Sequence, residues 1–270
     1  MGVFQPSNEE QILGAVQSII EQDFEDWEFL ICNDGSDEKY DSVFAKICNL
    51  DKRIVYLKAA RNQGLASALN QCLEVAKGKY IARMDDDDIS CPKRLSTLYN
   101  FLETHLDYQW VGSNAELLGE QGIWGTRKVK EKPTATDFLP YSPYIHPSTM
   151  FRREVLKQMK GYNTSKLTQR CEDYELFMRL HQAGYRGYNI QESLLLYRED
   201  ANSYGRRKYK FRVREMRVRY AEFKKLGILR ISTLPYVMKP VLVGLVPFAI
   251  YKYLKNKRIN RDKSTIRQSL

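Results

Sequence analysis

Four consecutive aspartates, Asp85 to Asp88, follow a short apolar run that begins at Tyr80 and predicts a β-strand. Four carboxylates at the end of one strand repel one another unless a cation or hydrogen-bond donors neutralise them. Mg²⁺ and Mn²⁺ prefer oxygen ligands and often bind through one or two protein carboxylates together with substrate phosphates. The aspartate run therefore predicts that the site binds a divalent metal and a phosphorylated, nucleotide-linked ligand. The alternative is a solvated acidic turn before a helix near Cys91 and Pro92.

Strand and helix alternate along the first 90 residues. The apolar spacing predicts helices over residues 9–20, 40–50 and 65–76, and strands over residues 27–32, 54–57 and 80–84. Ser7 and Asn8 are candidate N-terminal caps of the first helix, and Gly78 is a candidate C-terminal cap of the third. Such alternation is typical of parallel βαβ units, in which ligands bind beyond the carboxyl ends of the strands. Asp34, Asn62 and the aspartate run all follow predicted strands, so we expect them to line one crevice.

The first strand of this predicted sheet is incomplete. Residues 1–4 directly precede the first helix and leave only a stub where the strand should lie. Either the fold starts with a helix, or the native start lies upstream of Met1. We favour the upstream start and expect a truncated first strand.

Beyond residue 90, the pattern predicts a helix over 95–102, a strand over 110–118, loops over 119–145 and a short helix near Val155. A further helix is predicted after Cys171. Its residues Leu176, Phe177 and Leu180 share one face, whereas Glu172 and Asp173 lie in the first turn, near the positive end of the helix dipole. These two acids are either candidate site residues or ordinary helix-start chemistry.

The C-terminal tail differs in composition from the rest of the chain. The net charge is +10, and lysine and arginine crowd residues 206–219 and 252–258. Between them, residues 240–251 are uncharged but fall short of the roughly 20 residues that span a bilayer. They suit an interfacial segment whose flanking bases attract anionic lipid. A buried terminal helix with a basic soluble face is the alternative.

Composition is that of a reduced globular protein. Hydrophobic residues make up 43% and charged residues 28% of the chain. The five cysteines form no C-x-x-C pair, which argues against a disulfide framework and against a zinc site. The N-terminus has no basic region followed by an apolar one, as a secretory signal would. We therefore expect a cytoplasmic protein.

Six short motifs occur along the chain. They are Asn33-Asp34-Gly35-Ser36, Arg61-Asn62-Gln63-Gly64-Leu65-Ala66 with Asn70, Ala82-Arg83-Met84-Asp85-Asp86-Asp87-Asp88, His146-Pro147-Ser148-Thr149-Met150-Phe151-Arg152, Glu172-Asp173-Tyr174-Glu175-Leu176, and Tyr197-Arg198. In this order, they resemble the family 2 nucleotide-sugar glycosyltransferases, which are inverting enzymes of GT-A fold. Within that family, the chain looks most like bacterial enzymes that build O-antigen or capsular repeat units. The resemblance runs from about Met1 to Ser203.

The resemblance implies an α/β fold and a two-part organisation. A GT-A domain, Rossmann-like with a mostly parallel central sheet and flanking helices, would occupy residues 1–204. A helical, basic and apolar tail that associates with the membrane would occupy residues 205–270.

The resemblance also implies a reaction. A hexose would move from a UDP-sugar, UDP-galactose or UDP-glucose, onto a sugar linked to undecaprenyl diphosphate, in one inverting displacement assisted by Mn²⁺ or Mg²⁺. The enzyme would be peripheral on the cytoplasmic face of the inner membrane, an anionic surface, with no nucleic-acid partner expected.

Roles for individual residues follow from the same resemblance. Asp34 resembles a uracil or ribose contact, Arg61 a base contact, Asp85 a nucleotide contact and second metal ligand, Asp87 the metal ligand at the diphosphate, and Asp173 the catalytic base with Glu172 beside it. His146 lies in a segment that the family places near the acceptor, and we treat it as a candidate binding residue. The chain departs from the family in its first strand and at Glu199-Asp200, where a histidine is often found.

Two other interpretations remain open. A nucleotidylyltransferase would also use a parallel sheet and carboxylate-held Mg²⁺, but it would carry a glycine-rich phosphate loop that residues 1–10 lack. The second interpretation is a catalytically inactive basic module that binds nucleic acid or membrane. Aromatic and basic residues do alternate over residues 209–212, but in the tail rather than at the crevice.

Overall fold

The first part of the chain forms a parallel sheet with helices between its strands. The computed structural model describes residues 1–199 and 208–246. Strands β1 (Gly2–Val3), β2 (Phe29–Asn33) and β3 (Ile54–Lys58) pair in parallel in the order β1-β2-β3. Helices α1 (Glu9–Ile20), α2 (Asp41–Cys48) and α3 (Leu65–Val75) alternate with them, α2 and α3 following β2 and β3. The predicted first-strand stub is the two-residue strand β1.

Helix boundaries in this part follow local chemistry. The Asn8 side chain accepts hydrogen bonds from the amides of Glu10 and Gln11 and so caps α1, as predicted. The cap predicted at Gly78 is wrong, because α3 ends at Val75 with an extended Ala76 as its last cap residue. The amide of Gly78 instead donates to the Glu28 carboxylate.

The second sheet has six strands, and most of its pairs are antiparallel. The strands are β4 (Tyr80–Ala82), β5 (Ile89–Ser90), β6 (Trp110–Gly119), β7 (Gly122–Arg127), β8 (Met150–Arg152) and β9 (Gly187–Arg198). Their order is β4-β8-β6-β9-β5, with β7 on β6, and only β6 and β9 pair in parallel. The strand at Tyr80 thus pairs with β8 instead of extending the parallel sheet. Strand β7 lies within the region predicted as loops.

Helix α6 is anchored by a mainly aromatic core. The remaining helices are α4 (Arg94–Thr104), α5 (Arg153–Gln158), α6 (Glu172–Gln182), α7 (Tyr209–Lys225) and α8 (Leu234–Leu245). Leu176, Phe177 and Leu180 of α6 are fully buried, as the predicted apolar face requires. Phe177 packs on Trp110 and Tyr144, with ring centroids 5.9 and 4.6 Å apart. This packing fixes the first turn of α6 against the second sheet.

The tail helices pack on the same core. Val218 and Phe223 of α7 and Val237 of α8 belong to the apolar cluster that contains Phe177. Of the predicted interfacial segment, residues 240–245 form the end of α8, whereas residues 247–251 lie outside the described residues. Within residues 1–199 and 208–246, no helix has both the length and the apolar content needed to cross a membrane.

Candidate active site

Two buried guanidinium groups lie beneath the aspartate run. Arg83 is 4% exposed and pairs with the carboxylate of Asp85. Arg94, fully buried in α4, donates to the carbonyl oxygens of Arg83 and Pro147 at 2.5 and 2.8 Å. Burial lowers the pKa of Arg94 to about 10. The run therefore sits on positive charge that the fold has taken out of water.

The remaining aspartates resist ionisation. Burial, followed by repulsion from Asp85, raises the pKa of Asp86 to about 6 and that of Asp87 to about 7. Asp88 is buried and accepts from the amide of Arg198 at 2.8 Å, while its Oδ2 has no hydrogen-bond partner. A cation would relieve this crowding.

The donor set fits a particular kind of metal site. Over the described parts of the chain, no group of three or more histidine, cysteine, aspartate or glutamate side chains is arranged to hold a metal. One or two carboxylates of the run, completed by phosphate oxygens, match the way Mg²⁺ and Mn²⁺ bind with nucleotide substrates.

Asp34 holds the loop that carries Arg61. Its two carboxylate oxygens accept from the amides of Gln63 and Gly64 at 2.9 and 2.7 Å. Gly35 has a φ of +70°, and a Cβ there would lie 2.4 Å from the backbone of Arg61. Only glycine permits this approach. The structure thus brings Asp34 and Arg61 together at the end of β2, with Arg61 exposed.

His146 is a buried, neutral residue. Its Nε2 lies 2.8 Å from the hydroxyl of Tyr162. Burial, together with the nearby Arg83, lowers the pKa of His146 well below its ordinary value. A charged role for this histidine is therefore not supported at neutral pH.

The two acids of α6 also have raised pKa values. Burial is the main cause for both residues. Repulsion from Asp85 also raises the pKa of Asp173, and repulsion from Asp173 also raises the pKa of Glu172. The Oε2 atom of Glu172 is buried without a hydrogen-bond partner. Arg170, two residues earlier, has a φ of +72°, an uncommon conformation for a non-glycine residue that brings local strain.

One cavity of about 220 Å³ unites residues from both acidic clusters. It is lined by Asp85, His146, Glu172 and Asp173, together with Arg127, Arg170 and Tyr197. Asp34, Arg61 and Asp87 are not part of this lining. A carboxylate from the end of β4 and two carboxylates from the first turn of α6 thus line the same cavity. Such a site can serve a leaving group on one side and a nucleophile on the other.

The site contains arginines to which the sequence analysis gave no role. Arg198 donates from its amide to Asp88 and from its Nε to the carbonyl oxygen of Asp87, so the Tyr197-Arg198 motif clamps the aspartate run. Arg127 reaches the cavity from β7, within residues predicted as loops. No local sequence signal marked Arg94 or Arg127.

A family model and several known proteins match this chain. The family described as Glycosyl transferase family 2 matches residues 7–160. EpsE of Bacillus subtilis (strain 168), which is named as a glycosyltransferase, is 32% identical over 97% of this chain and 94% of its own length. An Escherichia coli protein named UDP-Gal:alpha-D-GlcNAc-diphosphoundecaprenol beta-1,3-galactosyltransferase is 26% identical over 92% of this chain and 90% of its own.

Solved structures share the fold. TarS residues 1–349 of S. aureus in complex with UDP-GlcNAc superposes with a TM-score of 0.63 at 14% identity, over 88% of this chain and 78% of that one. The mannosyltransferase PcManGT of Pyrobaculum calidifontis, in complex with GDP-Man and Mn²⁺, gives 0.60 at 16% identity, over 95% and 78%. At these identities the likeness concerns the fold alone.

Asp34→Asn tests the anchoring of the Arg61 loop. An amide can accept only one of the two backbone donors, so the other, which is partly buried, loses its partner. We expect a loss of about 1–3 kcal/mol in the free energy of unfolding and faster amide exchange at Gln63 and Gly64. Urea denaturation and hydrogen exchange measure both effects. Asp37→Asn, at an exposed side chain that accepts only from Gln5, is the matched control; equal losses in the two variants would contradict the assignment.

Proposed function

The chain belongs to glycosyl transferase family 2, and on that premise we propose that it is a metal-dependent, inverting hexosyltransferase acting on a lipid-linked sugar. The cavity that joins Asp85 to Asp173 carries the proposal, because it provides one wall for a departing diphosphate and another for an incoming hydroxyl group. Family membership and this cavity favour an enzyme over an inactive basic module. They also disfavour a nucleotidylyltransferase.

The names of two relatives suggest the substrates. The E. coli galactosyltransferase described above acts on GlcNAc-diphosphoundecaprenol, and an E. coli glucosyltransferase, WfaP, with 27% identity over 80% of this chain, bears a corresponding name. We therefore propose UDP-galactose or UDP-glucose as the donor, and a sugar on undecaprenyl diphosphate as the acceptor. O-antigen or capsule repeat-unit assembly is the corresponding process.

Asp34, Arg61, Asp85 and Asp87 serve the donor in this proposal. Asp34 holds the loop, Arg61 is exposed for contact with the base, and Asp85 orients the nucleotide from the cavity wall. Asp87, with Asp85, would hold Mn²⁺ or Mg²⁺, which when bound would neutralise charge on the leaving diphosphate. His146 stays neutral and shapes the cavity wall through its hydrogen bond to Tyr162.

Asp173 serves the acceptor as the general base. It takes the proton from the attacking hydroxyl while the bond to the diphosphate breaks, so the sugar is inverted in one displacement. Glu172 and Asp173 are about 100° apart around the helix and cannot both reach the same hydroxyl group. The raised pKa of Asp173 makes it a stronger base than an ordinary aspartate.

Asp173→Asn tests the base. It keeps the shape of the side chain but removes the proton acceptor, so we expect turnover to fall by about 10²- to 10⁴-fold with little change in donor affinity. Glu172→Gln is the matched control and should cost less. Transfer from a radiolabelled UDP-sugar to a lipid diphosphate sugar measures turnover, and UDP binding is assayed separately. Parent-level turnover in Asp173→Asn would disprove the assignment.

The pH profile gives a second readout of the same residue. A base must be deprotonated to act, and burial raises the pKa of Asp173, so parental turnover should fall as pH drops through that raised value. Glu172, Asp85 and Arg127 face the same cavity and are present in parent and variant alike. Protonation of Glu172 or of Asp87, whose pKa is raised to about 7, affects parent and variant alike. The residual activity of Asp173→Asn should therefore lose only the part of the acid limb that Asp173 contributes, and should fall less steeply at acid pH than the parental activity.

Asp87→Asn tests the metal. Loss of one charged oxygen ligand should abolish the dependence of UDP binding on Mn²⁺ or Mg²⁺ and lower transfer to background, while the thermal unfolding midpoint stays near that of the parent. Calorimetric titration of UDP with and without the metal measures the first effect. Asp107→Asn, at an exposed aspartate outside the cavity lining, is the control. Full transfer by the parent in EDTA would contradict metal dependence.

An exposed apolar stripe on α8 supports attachment to an anionic membrane surface. Leu234, Met238, Leu242 and Leu245 are 42%, 41%, 54% and 66% exposed, and their spacing places them within an arc of about 80°. The exposed Arg230 lies just before α8. We propose that this stripe enters the interface of the inner membrane from its cytoplasmic face.

Met238→Glu combined with Leu242→Glu tests the stripe. Each apolar side chain contributes about 1.5 kcal/mol or more when buried, so the double variant should bind anionic vesicles at least tenfold more weakly than the parent. Sedimentation with such vesicles measures binding, which should also weaken at high salt. Leu106→Glu, at a 73% exposed leucine after α4, is the control. Equal sedimentation of parent and double variant would refute the stripe.

A further inference from the structure

The carbonyl groups of three consecutive residues, 138–140, are bound by side chains from three different helices. The 3₁₀ turn Ala135–Phe138 ends just before Pro140, which has no amide with which to extend it. Carbonyl groups at such an end need other donors. The oxygen of Phe138 accepts from Tyr174 of α6, that of Leu139 from Arg219 of α7 at 2.8 Å, and that of Pro140 from Lys239 of α8 at 2.8 Å.

Arg219 is the centre of this arrangement. It is 4% exposed, and its Nε lies 3.0 Å from a carboxylate oxygen of Glu215, one turn earlier in α7. Its Nη1 donates to Leu139 and also, at 3.3 Å, to the carbonyl oxygen of Tyr236 in α8. A buried guanidinium group is stable only when its charge and its donors have partners such as these. Arg219 therefore ties α7 to α8 and to the chain that follows the 3₁₀ turn.

The same guanidinium group lies against the residue that follows Asp173. Its Cζ is 4.9 Å from the centroid of the buried Tyr174 ring. The Tyr174 hydroxyl group donates to Phe138, and the two rings pack with their centroids 5.9 Å apart. Tyr174 and Asp173 are neighbours in the first turn of α6. A group that fixes Tyr174 therefore also fixes the backbone that carries the Asp173 carboxylate.

Residues 142–147, which we call the wall segment, follow closely after the three carbonyl groups. Only Tyr141 separates the wall segment from Pro140, and Lys239 lies over the Tyr141 ring at 5.9 Å. The position of these carbonyl groups therefore limits where the wall segment can lie. Its members Ser142, Tyr144, Ile145, His146 and Pro147 line the cavity of about 220 Å³ that Asp173 also lines.

We propose that α7 and α8 belong to the catalytic unit and that Arg219 is a positioning residue, which holds the wall segment and Asp173 in fixed relative positions for an acceptor hydroxyl group. The inference rests on the proposed function, because it takes Asp173 as the base. None of the contacts of Arg219 described above involves Asp34 or Asp85, so the donor side is unaffected. Helix α8 then has two roles, since it carries the exposed apolar stripe and also binds Pro140 through Lys239.

The test removes the buried charged pair while keeping the core filled. Arg219→Met alone would leave Glu215 buried without its partner, so it is combined with Glu215→Met, because replacing a whole buried pair by apolar side chains is often neutral for stability. We expect turnover of a UDP-sugar with a lipid diphosphate sugar to fall by about tenfold or more, because small displacements of reacting groups are costly. The dissociation constant of UDP should stay within about twofold of the parental value, since the donor contacts remain.

Amide exchange gives a readout that does not depend on transfer. The amide of Ser148 donates to Ile145 in the wall segment at 2.9 Å, and that of Glu175 donates to Cys171 at the start of α6 at 3.0 Å. Both amides should exchange about tenfold faster in the double variant. Lys225→Met is the matched control, because it removes from the same helix a cation that pairs with the buried Glu222. It should leave turnover, UDP binding and exchange at parental values.

Parental turnover and exchange in the folded double variant would overturn the proposal. An equal loss in Lys225→Met, or a loss of UDP affinity in proportion to turnover, would overturn it too, because the effect would then be one of general stability. If the double variant does not fold, Arg219→Lys replaces it. Lysine keeps the charge beside Glu215 but lacks the planar fork of arginine, so turnover should again fall and exchange should again quicken, and unchanged values would refute the role. If the parent transfers no sugar, the proposed function fails, whereas exchange at Ser148 and Glu175 still decides this inference.

Discussion

The fold around the site is organised by the repulsion among four carboxylates at the end of β4. Each compensating group comes from a different part of the chain: Arg83 lies just before the run, Arg94 is in α4 and Arg198 is at the end of β9. Arg94 is fully buried and donates to the carbonyl oxygens of Arg83 and Pro147 as well as to the Ser90 hydroxyl. It therefore joins the end of β4 to the segment that carries His146 and Pro147. A buried charge is stable only with such partners. The requirement to hold the aspartate run therefore also fixes where the neighbouring segments lie.

The two acidic clusters differ in their electrostatic surroundings. Asp85 has a buried guanidinium partner in Arg83. Asp173 has a pKa raised mainly by burial, while the positive end of α6 favours its charged form and limits that rise. A carboxylate held in this balance can accept a proton at moderate pH. The aromatic packing of Phe177 on Trp110 and Tyr144 keeps α6, and with it this carboxylate, in place.

Local features of the chain were predictable, and long-range pairings were not. Helix α1 with its Asn8 cap and the buried face of α6 follow from signals within a few residues. The meeting of Asp85 with Asp173 in one cavity was implied only by the resemblance to the family. The antiparallel pairing of β4 with β8 joins residues about 70 positions apart, and no local pattern encodes it. Gly78 looked like a helix cap, but the Glu28 carboxylate, 50 positions away, binds its amide instead. Arg94 was missed because an arginine in a helix pattern normally signals an exposed face.

The two halves of the donor side lie on different sheets, so the site depends on what holds the sheets together. Asn70, which the sequence analysis names only as part of a motif, makes one of the contacts that hold the sheets together. Its side chain accepts from the amide of Tyr162 and donates to the carbonyl oxygen of Tyr162, both at 2.8 Å. Gly161 has a φ of +63°, and a Cβ there would lie 2.3 Å from the Asn70 oxygen, so this contact requires glycine beside it. Tyr162 then bonds His146 through its hydroxyl. The side chains of Asn70, Tyr162 and His146 thus link α3 to the cavity wall beside the second sheet. None of the three needs to touch a substrate to form this link.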